Sequence, residues 1–250
     1  MKLTVGHVSD PALESLLAGH PQVSFSPESA GDDLAFIQNQ RWNRTVVRTD
    51  GEANPEMVIG LVELMDNNPM VCADQVGVPS PGATLAMIGL GPLIRAGLLA
   101  ADPVVTFTFE VNAADVILHA EQMGWEGDVI SVLDEVDLGS VLAANVMAEV
   151  PPMADWDALD ELFEEAYGRS FFVRRVEEGA WDTQLVAGKH HAAYRLRLSP
   201  GDENALLTIQ VMADRDGKAG AAQMIHAMNV MAGFEECLGL LVPAPTVVQP

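Results

Sequence analysis

The chain has 250 residues, 49% of them hydrophobic, enough to bury a substantial core in one large domain or two small ones. Its formal net charge of −23 reflects few bases rather than many acids, since lysine occurs only as Lys2, Lys189 and Lys218. A field of that sign excludes nucleic acid and anionic membrane as partners, because phosphate binding needs clustered Lys and Arg.

Two cysteines, Cys72 and Cys237, sit in apolar surroundings without a C-x-x-C partner. Neither a disulfide framework nor a zinc site is expected, and Cys72 reads as a small buried hydrophobe. Residues 1–6 lack the apolar run of an export signal. The most apolar stretch, 83–100, is interrupted by Gly89, Gly91, Pro92, Arg95 and Gly97 and reads as a core helix rather than a membrane span. A cytoplasmic protein is expected.

In chain order, Leu3–Val5, Leu34–Ile37 and Met70–Ala73 are short apolar runs bounded by turn residues, as in buried parallel strands. Between the first two, Pro11–Gly19 carries Leu13, Leu16 and Leu17 on one helical face. Asp10 or Ser9 serves as its cap and Gly19 as its stop. Asn54-Pro55 opens a second predicted helix running through Met57, Ile59, Leu61, Leu64 and Met65. From Val104 the pattern changes to strands in series: 104–111, 129–133, 141–150, 171–176, 194–198 and 206–212. One strong helix interrupts them, from the cap Asp155 to Tyr167, with its acids on a solvated face. Alternation followed by strands in series predicts an α/β part joined to an α+β part. Met224, Met228 and Met231 form a core-packing stripe, and residues 243–250 look like an unpacked tail.

The run Asp214-Arg-Asp-Gly-Lys218-Ala-Gly-Ala-Ala-Gln223, continuing through Met228, Asn229, Met231 and Gly233, resembles the C-terminal helix of the N-acetyl-gamma-glutamyl-phosphate reductases, a branch of the semialdehyde dehydrogenase superfamily. Further pieces follow in family order: Leu16–Val23, Pro79–Thr84 with Gly89–Leu98, Glu164–Tyr167 with Phe172–Arg174, and Asp182–Gly188. The resemblance implies a reduced Rossmann-like domain over 1–78 and a semialdehyde-dehydrogenase-type α+β dimerisation domain over 79–213. A helix over 214–242 would return to the first domain, with a tail over 243–250. It also implies a homodimer built through the 104–212 sheet.

The same comparison places Pro81 where the family carries the cysteine that attacks an acyl phosphate, so no catalytic residue is assigned. The turn Gly6-His7-Val8-Ser9-Asp10-Pro11 keeps one glycine of the family's phosphate-binding loop, so no cofactor is expected. His119 beside Glu121 reads as solvated helix surface, and His190-His191 point to opposite faces of a strand without carboxylates at ligand spacing, so no metal is expected. The candidate cleft comprises His7, Ser9, Ser80, Lys218 and Gln223. Its expected occupant is a small anionic ligand or a segment of a pathway partner. Lys218 has a simpler reading too, as a surface charge offsetting Asp214 and Asp216, worth on the order of 0–1 kcal/mol. The function these residues imply is a dimeric accessory or ligand-binding relative of the reductases. The alternatives are an enzyme with a repurposed cleft acting on a small carboxylate or cofactor precursor, and an NADP-dependent reductase using a displaced Cys72.

Overall fold

A computed structural model describes residues 2–31, 33–40, 42–49, 57–65, 67–151, 156–177 and 179–240. It opens with β1 (Leu3–Val8), which turns Leu3 and Val5 inward, followed by α1 (Pro11–Gly19). The Asp10 carboxylate accepts from the Ala12 and Leu13 amides and Pro11 supplies a preset φ, so this helix start is fixed by two adjacent residues. Next come β2 (Val23–Gly31), parallel to β1, and β3 (Leu34–Gln38), antiparallel to it. The turn after β3 holds Asn39 and Gln40 at φ 55 and 59, and β4 (Trp42–Arg48) runs back along β3. After β5 (Val58–Ile59) and a 3-10 turn at Val62–Leu64 come α2 (Asn67–Cys72) and β6 (Gln75–Val78). The sheet order is β2-β1-β3-β4-β6-β5, and only β3 opposes the common direction.

Two expected elements are exchanged in this half. The predicted start at Asn54-Pro55 and the Asp155 cap lie outside the described residues, as does the tail. Met57–Met65, expected as a helix, contains β5 and the 3-10 turn instead. The Gly60 amide donates to the Gly77 carbonyl at 2.6 Å, and a Cβ on Gly60 would lie 2.9 Å from a Val78 methyl, so only glycine lets this segment run flat against β6. Met70–Ala73, expected as a strand, falls mostly within α2, and the strand is Gln75–Val78. Apolar runs this short carry no period that separates helix from strand.

The long helix α3 (Pro81–Arg95) is buried from Gly82 to Ile94, as its apolar sequence predicts. It packs on a second six-stranded sheet, and a Cβ on Gly89 would meet Val146 at 2.8 Å. Pro92 removes the amide that would serve the Ile88 carbonyl four residues back. The Tyr167 hydroxyl donates to that carbonyl at 2.8 Å, repairing the break from another helix.

The second sheet contains β7 (Val104–Phe107), β8 (Ile130–Leu133), β9 (Val141–Val150), β10 (Val173–Arg175), β11 (Ala192–Ser199) and β12 (Ala205–Asp214), ordered β10-β11-β12-β9-β7-β8. The long pairs β9–β12 and β11–β12 are antiparallel. Among the described residues two helices interrupt the sheet's strands, not one. α5 (Trp156–Tyr167) buries Leu159, Phe163 and Tyr167, while α4 (Ala113–Gln122) takes up the chain where the expected strand over 104–111 ends early. His190 and His191 precede β11 and are not strand residues. The last helix, α6 (Ala221–Ala232), is buried along its length, including the methionine stripe, and packs on α1 and α2 over the first sheet. Gly233 closes it in the left-handed region at φ 71. The whole is the expected combination of an α/β sheet with an α+β sheet.

Candidate functional site

Because β1, β4 and β6 share one direction, their carboxyl ends meet along one edge, where open α/β sheets bind ligands. Four features converge on that edge. Asp10 caps α1, Arg48 at the end of β4 pairs with Asp10 and reaches the Met224 sulfur at 3.2 Å, Thr49 follows Arg48, and Ser80 caps α3. The Thr49 hydroxyl lies 3.2 Å from the Val78 carbonyl and 3.4 Å from His119 Nε2. His119 Nδ1 sits 2.8 Å from the Asp115 carbonyl and 3.4 Å from its carboxylate, whose other oxygen accepts the Ser80 amide at 3.0 Å.

His119 and Asp115 are both buried, which corrects the reading of His119 as solvated surface. The spacing Asp115–His119 is i,i+4 on α4, so the two share a face. A helical reading of 113–122 could have revealed that signal.

Two features close the crevice against a dinucleotide bound in the usual way. β2 ends at Gly31 and β3 begins at Leu34 on either side of β1, both at its carboxyl end. The Ser9 amide and hydroxyl meet the Gly31 carbonyl there, at 2.9 and 3.2 Å. The amides of the first turn of α1, which a pyrophosphate would use, are already occupied by Asp10. The residues present do not fit the dinucleotide of a Rossmann-type site.

Ser9 and Ser80 lie at this edge, and the expected cleft residues have partners inside the protein. His7 is half-exposed, 2.6 Å from Glu14 and stacked on Phe25 at 4.7 Å. Ser80 spends its hydroxyl on the Ala83 amide. Gln223 donates to the Gly60 carbonyl at 2.5 Å, leaving its own oxygen buried without a partner among the described residues. Lys218 is neither surface charge nor cleft charge. Its Nζ lies 2.7 Å from both oxygens of Glu63, with the side chains 1% and 4% exposed. Around them, Ser170 donates to Glu63 at 3.2 Å, His226 Nδ1 lies 3.4 Å from Lys218, and Phe172 packs against both Lys218 and His226. His226 Nε2 reaches Glu236 at 3.0 Å.

Burial opposes an ionised Glu63, but the charge of Lys218 and its hydrogen bonds outweigh it and hold its carboxyl below the ordinary value. Lys218 therefore has its counterion inside the protein. Asp214, the acid it was expected to offset, instead accepts from the Ser140 hydroxyl and from the Gly188 and Asp216 amides. Asn229 bonds His20 at 3.0 Å and the Glu236 and Leu238 carbonyls, tying the end of α1 to the segment after α6. The motif residues Lys218, Gln223 and Asn229 are thus engaged in packing the last helix.

Cys72 is exposed rather than buried, and it precedes β6, at the end opposite Ser80 and Pro81. Among the described residues no group of His, Cys, Asp and Glu is disposed to hold a metal ion, and no helix is long and apolar enough to cross a membrane.

No protein-family profile matches the chain. It is 26% identical over 270 residues to an N-acetyl-gamma-glutamyl-phosphate reductase of Desulforudis audaxviator, covering 95% of this chain and 76% of that one. It is 24% identical over 237 residues to the reductase of the same name from Bacillus cereus, covering 82% and 67%. Its fold matches the crystal structure of aspartate semialdehyde dehydrogenase II from Vibrio cholerae with a TM-score of 0.64 at 11% identity, over 93% of this chain and 99% of that one. These relatives agree with the residue patterns at 79–98 and 214–233: the chain is related in sequence to the N-acetyl-gamma-glutamyl-phosphate reductases and shares the fold of the aspartate semialdehyde dehydrogenases.

Proposed function

We propose that this protein is a non-reductase relative of the N-acetyl-gamma-glutamyl-phosphate reductases, acting as a dimeric accessory or ligand-binding protein in amino-acid or cofactor biosynthesis. One observation carries the reading. The family's acyl-phosphate chemistry needs a thiolate at the start of α3, and here Pro81 opens that helix beside a serine committed to capping it. The closed dinucleotide crevice and the position of Cys72 at the far end of β6 support the same reading. With NADPH and N-acetyl-gamma-glutamyl phosphate, no turnover is expected, and thiol alkylation should change nothing. Turnover that disappears in Cys72→Ser would overturn the proposal.

A repurposed enzyme is the second reading, favoured by the buried Asp115–His119–Thr49 chain at the ligand edge. A carboxylate, an imidazole and a hydroxyl in sequence are the parts of a nucleophile relay. The Thr49 hydroxyl is 3.4 Å from the imidazole, and the residue is only 9% exposed, so the cluster serves first to pin α4 against the start of α3.

The dimer is part of the proposal. The face of the second sheet turned away from α3 carries Val104, Met147, Ile130 and Val132, the last two 47% and 41% exposed. Asn145 lies in the same row, its side-chain oxygen buried without a partner among the described residues. A second copy of the same face would cover the apolar strip in an isologous contact. Light scattering is expected to give twice the chain mass at micromolar concentration, and Val132→Asp should reduce it to the monomer. A wild-type monomer throughout that range would remove the dimer from the reading.

A further inference from the structure

A groove of about 410 Å³ separates α1 from the end of the second sheet. One wall is Ala12, Ser15 and Leu16, and the other is formed by Ser140, residues 188–190 and the turn at Asp214–Gly217. Ligand sites favour such junctions between sheets. Most of the polar groups in it are already used: Asp214 has three donors, and the Lys189 ammonium donates to the Gln184 and Leu185 carbonyls at 2.6 and 3.0 Å. His190 is the exception, for its Nδ1 is buried and has no hydrogen-bond partner among the described residues. A buried polar atom left in that state costs about 1–3 kcal/mol, so its partner is to be sought in the groove.

What remains for a ligand is a set of acceptors. Burial keeps His190 below its ordinary imidazole value, despite Asp214 nearby, so at neutral pH the ring is uncharged and has one nitrogen able to accept. The exposed Asp216 carboxylate and the Ser15 and Ser140 oxygens add further acceptors. Among the charged side chains lining the groove, Asp214 and Asp216 outnumber Lys189, so the local charge is negative. Ala12 and Leu16 supply an aliphatic surface opposite these groups.

We propose that this groove binds a small aliphatic primary amine, its ammonium held by His190 Nδ1 and Asp216 and its alkyl stem lying along Ala12 and Leu16. The proposal deepens the ligand-binding reading above and replaces the anion expected there with a cation. It stands apart from the reductase assay, since amine binding neither requires nor excludes turnover.

Isothermal titration with 1,5-diaminopentane tests it, with pentane-1,5-diol as an uncharged control of the same shape and glutarate as an anionic one. Only the diamine is expected to bind the wild type. Asp216→Asn, an exposed change that leaves the fold intact, and His190→Phe should each weaken it roughly tenfold, the loss of one charged hydrogen bond. Equal binding of the diol, preferential binding of glutarate, no diamine binding, or unchanged affinity in both variants would each overturn the assignment.

Discussion

Replacing Lys218 with alanine is expected to lower the stability of the protein by about 3–5 kcal/mol, the usual cost of removing one partner from a buried ion pair. For a chain of this size that corresponds to a melting temperature lower by roughly 10 °C. The loss comes from what is left behind. Glu63 would keep its burial without the ammonium now 2.7 Å from both its oxygens, with Ser170 and a backbone amide as the weaker donors left to it. Three segments also come apart, because Glu63 belongs to the first half of the chain, Ser170 and Phe172 to the approach to β10, and Lys218 to the approach to α6. If the residual carboxylate is responsible, the double variant Glu63→Gln/Lys218→Met should recover most of the loss, since replacing both partners of a buried pair is often near neutral. A Lys218→Ala melting curve within a degree or two of wild type would show the charge to be exposed, as its sequence neighbours Asp214 and Asp216 suggest.

That contrast shows what the sequence conceals. Local rules located α1, where Asp10-Pro11 and the leucine spacing agree, and the long strands β9, β11 and β12, where alternation persists for eight to ten residues. The buried α3 and α6 were legible as well, because continuous small and apolar residues leave no solvated face. The site was not. Lys218 finds Glu63 at a separation of 155 residues, so no local pattern announces the pair, and surface neutralisation by the nearest acids is what proximity in the chain suggests. His119 was misread because its burial depends on recognising α4, and the apolar run over 104–111 masks the helix signal at Asn112. Residues 57–73 were inverted because tertiary contacts, not period, decide between strand and helix in runs of four or five. Pro81 was legible in its chemistry, since a proline has no nucleophile in any fold.

Acid is expected to destabilise the protein earlier than carboxylate titration alone would, beginning near pH 6.5. His20, His190, His191 and His226 are all held below the ordinary imidazole value, burial being the largest cause in each. For His191 the value falls from 6.5 to about 4, with the Arg174 and Lys189 charges adding to burial. A histidine depressed in the folded state binds its proton more readily once unfolded. Its contribution is therefore complete above the unfolded value and is lost as pH falls toward the folded one. For His191 the window runs from 6.5 down to about 4, and the contribution is about 3 kcal/mol at ~1.4 kcal/mol per pH unit. Glu14, Glu63 and Glu236, held below the ordinary carboxylate value by their partners, take over as pH drops below about 4.5 and continue in the same direction. Urea denaturation across pH 7.5 to 4 separates the two phases. His191→Gln should flatten the slope between 6.5 and 4.5 and leave the steeper fall below it, and a wild-type stability that stays level down to pH 4.5 would mean that these imidazoles are protonated inside the fold.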